Sequence, residues 1–378
     1  MQQGWFLLLF CALLSAFLAR LPLAAGDRRP DAQRANGISD RRNVVLVTFD
    51  GARIEEVFGG LDASVFRAAL KESEAPETHP VYRRFWAATP AERRAKLMPF
   101  FWNTLMREHG SIAGHDECGS EVRLTNRHWF SYPGYAEILL GVAHDDRISS
   151  NDPVQIPYQT ALEFIAGELA LDASEAAVFG SWEVFNAIAE SRPGALTVNA
   201  GYEPPAGDSA SEQALGVLQA ETPTPWNSVR HDAYTFRLAM AHLEAHRPRV
   251  LYLALGETDD WAHDGRYDRV LEAFARSDGY LGELWTWLQR QPEYRGRTSI
   301  LLTTDHGRGA APADWRHHGA KYPGSARTWM AFVSPGMVRR GVWCGESRLT
   351  AAQAAATLVD WMGLDWRRFN PAAAPPVR

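Results

Sequence analysis

Cysteine is scarce: the 378 residues hold three, at positions 11, 118 and 344. That number and spacing exclude a disulfide framework or a zinc knuckle. A dominant charge of one sign is also missing. The formal net charge is −6 with both signs mixed, which leaves no electrostatic footprint for a nucleic-acid partner. There is no internal repeat and no heptad run, so solenoids and coiled coils drop out. The apolar run from Trp5 to Ala19 is shorter than the roughly 20 residues a membrane span needs. What remains is a chain with 46% hydrophobic residues, enough for one large core or two smaller ones.

The first residues read as an export signal. An apolar core ends at Arg20, and Ala24-Ala25-Gly26 offers small residues for cleavage, although no Lys or Arg precedes Trp5. An uncleaved anchor is the alternative. A signal over 1–26 and a polar linker over 27–42 are expected, with a periplasmic or secreted destination. An oxidising compartment would allow a disulfide between Cys118 and Cys344; two buried thiols are the other reading.

Several short β-rich runs end abruptly in acidic residues. Asn43–Phe49 reads as a buried strand and stops at Asp50-Gly51. Arg249–Leu255 is another, leading through Gly256 into Glu257-Thr258-Asp259-Asp260-Trp261-Ala262-His263. A helical turn puts Asp259 and His263 on one face, close enough to share a cation. Ile300–Thr304 is a third, ending in Asp305-His306-Gly307. Trp315-Arg316-His317-His318-Gly319 adds histidines shortly after. Taken singly, Asp50 could cap a helix and adjacent histidines could be surface residues. Taken together they supply zinc-type ligands at strand ends, where open α/β sheets carry their sites.

Ser131-Tyr132-Pro133-Gly134 precedes an apolar run closed by Gly141, as Pro in the first helical turn and Gly at the end of a helix favour. A serine there is either an N-cap or a nucleophile beside the helix N-terminus. Asp278, on a periodic helix after His263, reads as a structural acceptor. Arg83, Arg84, Arg93 and Arg94 read as a solvated helix face rather than an anion site. Glu203 to Pro225 reads as a long surface loop or lid. Thr350 reads as the capping box of a last helix, and the tail after Phe369 as frayed.

The residues Asp50, Ser131, Asp259 with His263, Asp305 with His306, and His318 stand in the order of a known pattern. In this they resemble the alkaline phosphatase superfamily, over about Val44 to Val333. The turn at Ser131 and the later Asn151 are closest to the nucleotide pyrophosphatase/phosphodiesterase branch. That branch places Thr where Ser131 stands and Asn where Gly134 stands, and Val142-Ala143-His144-Asp145 lacks its Tyr-Pro. A modified-residue sulfatase needs Arg four residues after the nucleophile, and Tyr135 stands there.

The resemblance implies a three-layer α/β/α sandwich with a mostly parallel central sheet, in one hydrolase domain over 43–370. It implies two divalent ions, expected as Zn²⁺. One would be held by Asp50, Asp305 and His306 with Ser131, the other by Asp259, His263 and His318, with His317 the alternative last ligand. Ser131 becomes the catalytic nucleophile, forming a phosphoseryl intermediate, and Asn151 a substrate-binding donor. The implied activity is hydrolysis of a small phosphodiester, without nucleic-acid binding or stable membrane insertion after signal cleavage. Hydrolysis of a monoester, phosphonate or sulfate ester, or a metal-binding protein without catalysis, are the alternatives.

Overall fold

β-branched and aliphatic residues at consecutive positions form strands that must be covered on both faces. Asn43–Phe49 shows this in the computed structural model, which describes residues 41–378 except 206 and 208. Val45, Val47 and Phe49 pack into one hydrophobic core, and Val44 and Leu46 into a second. Leu251, Leu253 and Leu255 join the first core, while Val250, Tyr252 and Ala254 join the second. The sheet therefore separates two helical layers. Arg41–Arg378 forms one compact unit.

The strands are β1 (Asn43–Phe49), β2 (Gly110–Ala113), β3 (Ser120–Arg123), β4 (Ala176–Gly180), β5 (Thr197–Ala200), β6 (Val250–Leu255), β7 (Thr298–Thr303), β8 (Arg327–Thr328), β9 (Met330–Val333), β10 (Gly341–Val342) and β11 (Ser347–Thr350). Eight form the central sheet in the order β10-β2-β9-β7-β1-β6-β4-β5. Only β9 runs against its neighbours; the remaining pairings are parallel. A small sheet, β11-β3-β8, stands beside it. The Cys118–Cys344 disulfide ties its surroundings together.

The parallel register places the site. Phe49 lies opposite Leu255, and Thr48 opposite Thr303. Asp50, Gly256 and Thr304 thus leave the sheet at one edge. The helices the site uses are α1 (Ser131–Leu140), α2 (Asp232–His246), α3 (Glu257–His263), α4 (Tyr267–Arg290) and α5 (Gln353–Trp361).

Four local expectations turn out differently or gain detail. Glu203 to Pro225 is not all loop: Ala210–Glu221 is helical, started by a Ser209/Glu212 capping box. Thr350 belongs to β11 and does not cap α5; its N–H donates to Gln353 Oε1 at 3.1 Å, half of the expected box. The tail does not fray. Ala374 N–H donates to Gly141 O at 2.9 Å and Val377 N–H to Thr357 Oγ1 at 3.0 Å, with Ala373 and Val377 buried. The arginines near 93 are structural: Arg93 donates to Gly59 O and covers the Trp86 ring, and Arg94 donates to Phe58 O. The signal expected over 1–26 and nearly all of the linker lie outside the described residues. No described helix is long and apolar enough to cross a membrane.

Candidate metal centre and nucleophile

Two sets of three side chains converge at the carboxyl edge of the sheet. Asp50, Asp305 and His306 form one, and Asp259, His263 and His318 the other; within each, the ligand-type atoms lie within 4.8 Å of one another. His306 Nε2 is 3.5 Å from Asp50 Oδ1 and 3.4 Å from Asp305 Oδ2. His263 Nε2 is 3.0 Å from Asp259 Oδ2 and 3.0 Å from His318 Nε2. His306 Nε2 also lies 3.8 Å from Asp259 Oδ1, and the His306 and His318 rings stack at 4.0 Å, so the triads adjoin.

The donor chemistry fits cations. The carbonyl of Gly307 lies 2.8 Å from His306 Nδ1 and can only accept, so Nδ1 carries the proton and Nε2 presents a lone pair. Asp50 Oδ1 and Asp305 Oδ2 are buried and have no hydrogen-bond partner among the described residues. Leaving such oxygens unsatisfied is costly unless something positive meets them. Burial, with Asp305 and Asp259 nearby, pushes the Asp50 carboxyl well above the usual carboxylate range. Burial does the same to Asp305, against the N–H of Gly51, which donates to its Oδ1 at 3.0 Å. Burial lowers His306 to about 4, and burial with His306 nearby lowers His318 to about 2, so both imidazoles are neutral near pH 7. A surplus of buried carboxylate beside neutral imidazoles is what a divalent ion relieves.

Ser131 is the first residue of α1, and Phe130 precedes it as the cap residue. Ser131 makes no capping bond; its Oγ lies 3.3 Å from His306 Nε2 instead. Asn151 Oδ1 accepts from Tyr132 N–H at 2.9 Å, which turns its amide NH₂ to the remaining side. That bond uses the Tyr132 N–H and leaves the Asn151 amide NH₂ as one donor beside the cavity. A cavity of about 160 Å³ opens on Ser131, Asn151, Asp259 and His318, with Trp182 and Val229 as walls. A larger hollow of about 430 Å³, near Phe58 and Trp86, touches none of the candidate residues.

Asp50, Ser131, Asn151, Asp259, His263, Asp305, His306 and His318 all come to this place, and His318 rather than His317 faces the triad. The His317 ring stacks on Tyr322 and is exposed. Gly134 is explained by close approach: a Cβ there would lie 2.2 Å from the carbonyl oxygen of Asp305.

Four residues escaped the sequence reading. Tyr135 donates to Asp50 Oδ2 at 2.8 Å, and Thr258 Oγ1 to Asp50 O at 2.5 Å. Arg308, 2% exposed, pairs with Asp259 and draws its carboxyl well below the usual range against the effect of burial. Asp260 lines the same cavity. Tyr135 sits one helical turn after Ser131 and Arg308 directly follows Asp-His-Gly, the only signals they carried.

No family model matches the sequence, and no curated protein matches it in sequence. Solved structures do match the fold. Murine ectonucleotide pyrophosphatase/phosphodiesterase 5 aligns with a TM-score of 0.53 at 12% identity, over 89% of this chain and 97% of that one. The lipoteichoic acid synthase LtaP from Listeria monocytogenes aligns with a TM-score of 0.52 at 10% identity, over 86% and 72%. Ps i-CgsB in complex with k-i-k-neocarrahexaose aligns at 0.50 and 15% identity, over 89% and 75%.

Proposed function

From the alkaline-phosphatase-superfamily fold that this chain shares with those structures, we propose that it is an exported, metal-dependent phosphoric ester hydrolase of phosphodiesterase type, its catalytic domain spanning 43–370. The observation that carries the reading is the meeting of both triads with Ser131 Oγ, 3.3 Å from His306 Nε2. Asp50, Asp305 and His306 would hold one divalent ion, with Ser131 completing its shell, and Asp259, His263 and His318 the other. Mixed carboxylate and imidazole donors suit Zn²⁺. Bound there, the two ions would supply the Lewis acidity that activates a serine hydroxyl and offsets the charge of the ester.

The chain's own groups then have defined tasks. Ser131 Oγ forms the bond to phosphorus while the bond to the leaving oxygen breaks, and the serine proton leaves with the alcohol product. Water then cleaves the phosphoserine and restores the hydroxyl. Asn151 donates to a non-bridging oxygen, its amide held in orientation by Tyr132 N–H. Tyr135, hydrogen-bonded to Asp50, stands where a sulfatase would need Arg. The leader and the Cys118–Cys344 bond support export.

The test is a panel of aryl phosphodiester, phosphomonoester, phosphonate and sulfate ester substrates with wild type and S131A, alongside elemental analysis. The diester should turn over fastest. S131A should keep its zinc and lose turnover by about 10⁴-fold or more, the scale seen when a nucleophile that acts as a unit with its partners is removed. Near-normal activity in S131A rules Ser131 out as nucleophile.

A further inference from the structure

The third ligand of the Asp259 triad arrives on a separate loop, and two arginines join that loop to α3. Arg308 donates through its two terminal nitrogens. One meets Arg316 O at 2.6 Å; the other meets Asp259 O at 3.0 Å and also Asp259 Oδ1. Arg316 reaches back, donating to His263 O at 2.9 Å. The loop between them is closed by Gly309 N–H on His317 O at 2.9 Å. Each arginine thus holds the backbone of the element the other belongs to or contacts, and His318 follows two residues after Arg316.

Two glycines make room for these guanidinium groups. A Cβ at Gly51 would lie 2.9 Å from Arg308 Nε and 2.4 Å from Asp259 Oδ1. A Cβ at Gly265 would lie 2.7 Å from Arg316 Cζ. Both glycines have positive φ, 57° and 71°, a conformation that favours glycine in any case. Arg308 takes Asp259 Oδ1, which leaves Oδ2 facing His263 Nε2 at 3.0 Å. A planar, always charged fork suits this bridging task, and a lysine would meet fewer of the acceptors at once.

We propose that Arg308 and Arg316 form a reciprocal clip that fixes His318 against Asp259 and His263, and that Arg308 is the positioning residue for the metal bound there. The proposal rests on the two-ion reading given above. Residues behind metal ligands set ligand orientation, and their loss costs about 10- to 100-fold in metal affinity.

The experiment is zinc titration of the chelator-stripped protein, by calorimetry or competition with a chromophoric chelator. Wild type should take up two ions. R308Q should bind one with wild-type affinity and the second about 10- to 100-fold more weakly. R308K should fall between them, and R316Q, which removes only one bond from an exposed side chain, should weaken the same ion. R316Q also decides the matter if R308Q does not fold. Two ions bound with unchanged affinity in R308Q and R316Q, or both ions weakened equally, overturns the clip and leaves the two-ion reading in place. A wild type that takes up no zinc overturns both.

Discussion

Tyr135 and Asp278 show what single side chains decide. The Tyr135 hydroxyl satisfies Asp50 Oδ2 and leaves Oδ1 without a partner among the described residues. Y135F should therefore keep the fold but weaken the cation proposed at Asp50 by about 10- to 100-fold, because the hydroxyl that orients this carboxylate is lost. Zinc titration of the stripped variant reads this directly. Asp278 accepts from Phe100 N–H at 2.9 Å and Phe101 N–H at 2.7 Å, the structural role its sequence setting suggests. Burial raises its carboxyl to about 6 despite those bonds. The raised value means that the folded state holds this proton more tightly than the unfolded state does. Asp278 thus lowers stability as pH rises from 3.8, the ordinary value, through about 6. D278N carries no such charge. Urea unfolding in the presence of chelator should show D278N gaining on wild type by up to about 3 kcal/mol between pH 4 and 7. No difference in slope would contradict it. Most of the candidate ligands are legible in the sequence because Asp50 and Asp305-His306 follow strands and Asp259 and His263 share a helical turn; His318, on a loop beside His317, is not. Nor are Tyr135 and Arg308, because nothing in their local pattern says which distant carboxylate they meet.

At the level of elements, α1 is held where it is by one buried carboxylate. Glu137 accepts from Thr125 N–H at 2.9 Å, Asn126 N–H at 2.9 Å, Asn126 Nδ2 at 2.8 Å and Ala352 N–H at 3.2 Å. It joins the helix bearing Ser131 to the segment before it and to the start of α5. E137A leaves the buried Asn126 and Ala352 donors unpaired and should cost about 3 kcal/mol or more, with E137Q milder. Chemical denaturation measures the stability. Turnover should fall too, because Ser131 sits on the element that loosens. The strands were legible for a simple reason: β1, β6 and β7 are buried on both faces, so their apolar runs are unbroken. The helix at Ala210–Glu221 was missed because Pro and Gly around it signal a loop, and the Ser209/Glu212 capping box outweighed them. The tail looked frayed by composition, but its backbone is paired and two of its side chains are buried.

Across the whole molecule, the Cys118–Cys344 bond closes a loop of 226 residues. Opening it by a double Cys→Ser substitution should cost about 5 kcal/mol on the chain-entropy account of so long a loop. Urea unfolding with and without reductant checks this, and equal midpoints would set the bond aside as a stabiliser. The sequence by itself determined the buried strands, the layered α/β architecture and the residue types of the site, since burial on both faces and zinc-type donors are written in local order. It left open whether Cys118 meets Cys344 and which of His317 and His318 faces the triad. The tertiary structure decided those points, because pairing, ring orientation and the Arg308–Asp259 contact depend on segments far apart in the chain that only parallel strand register brings to one edge.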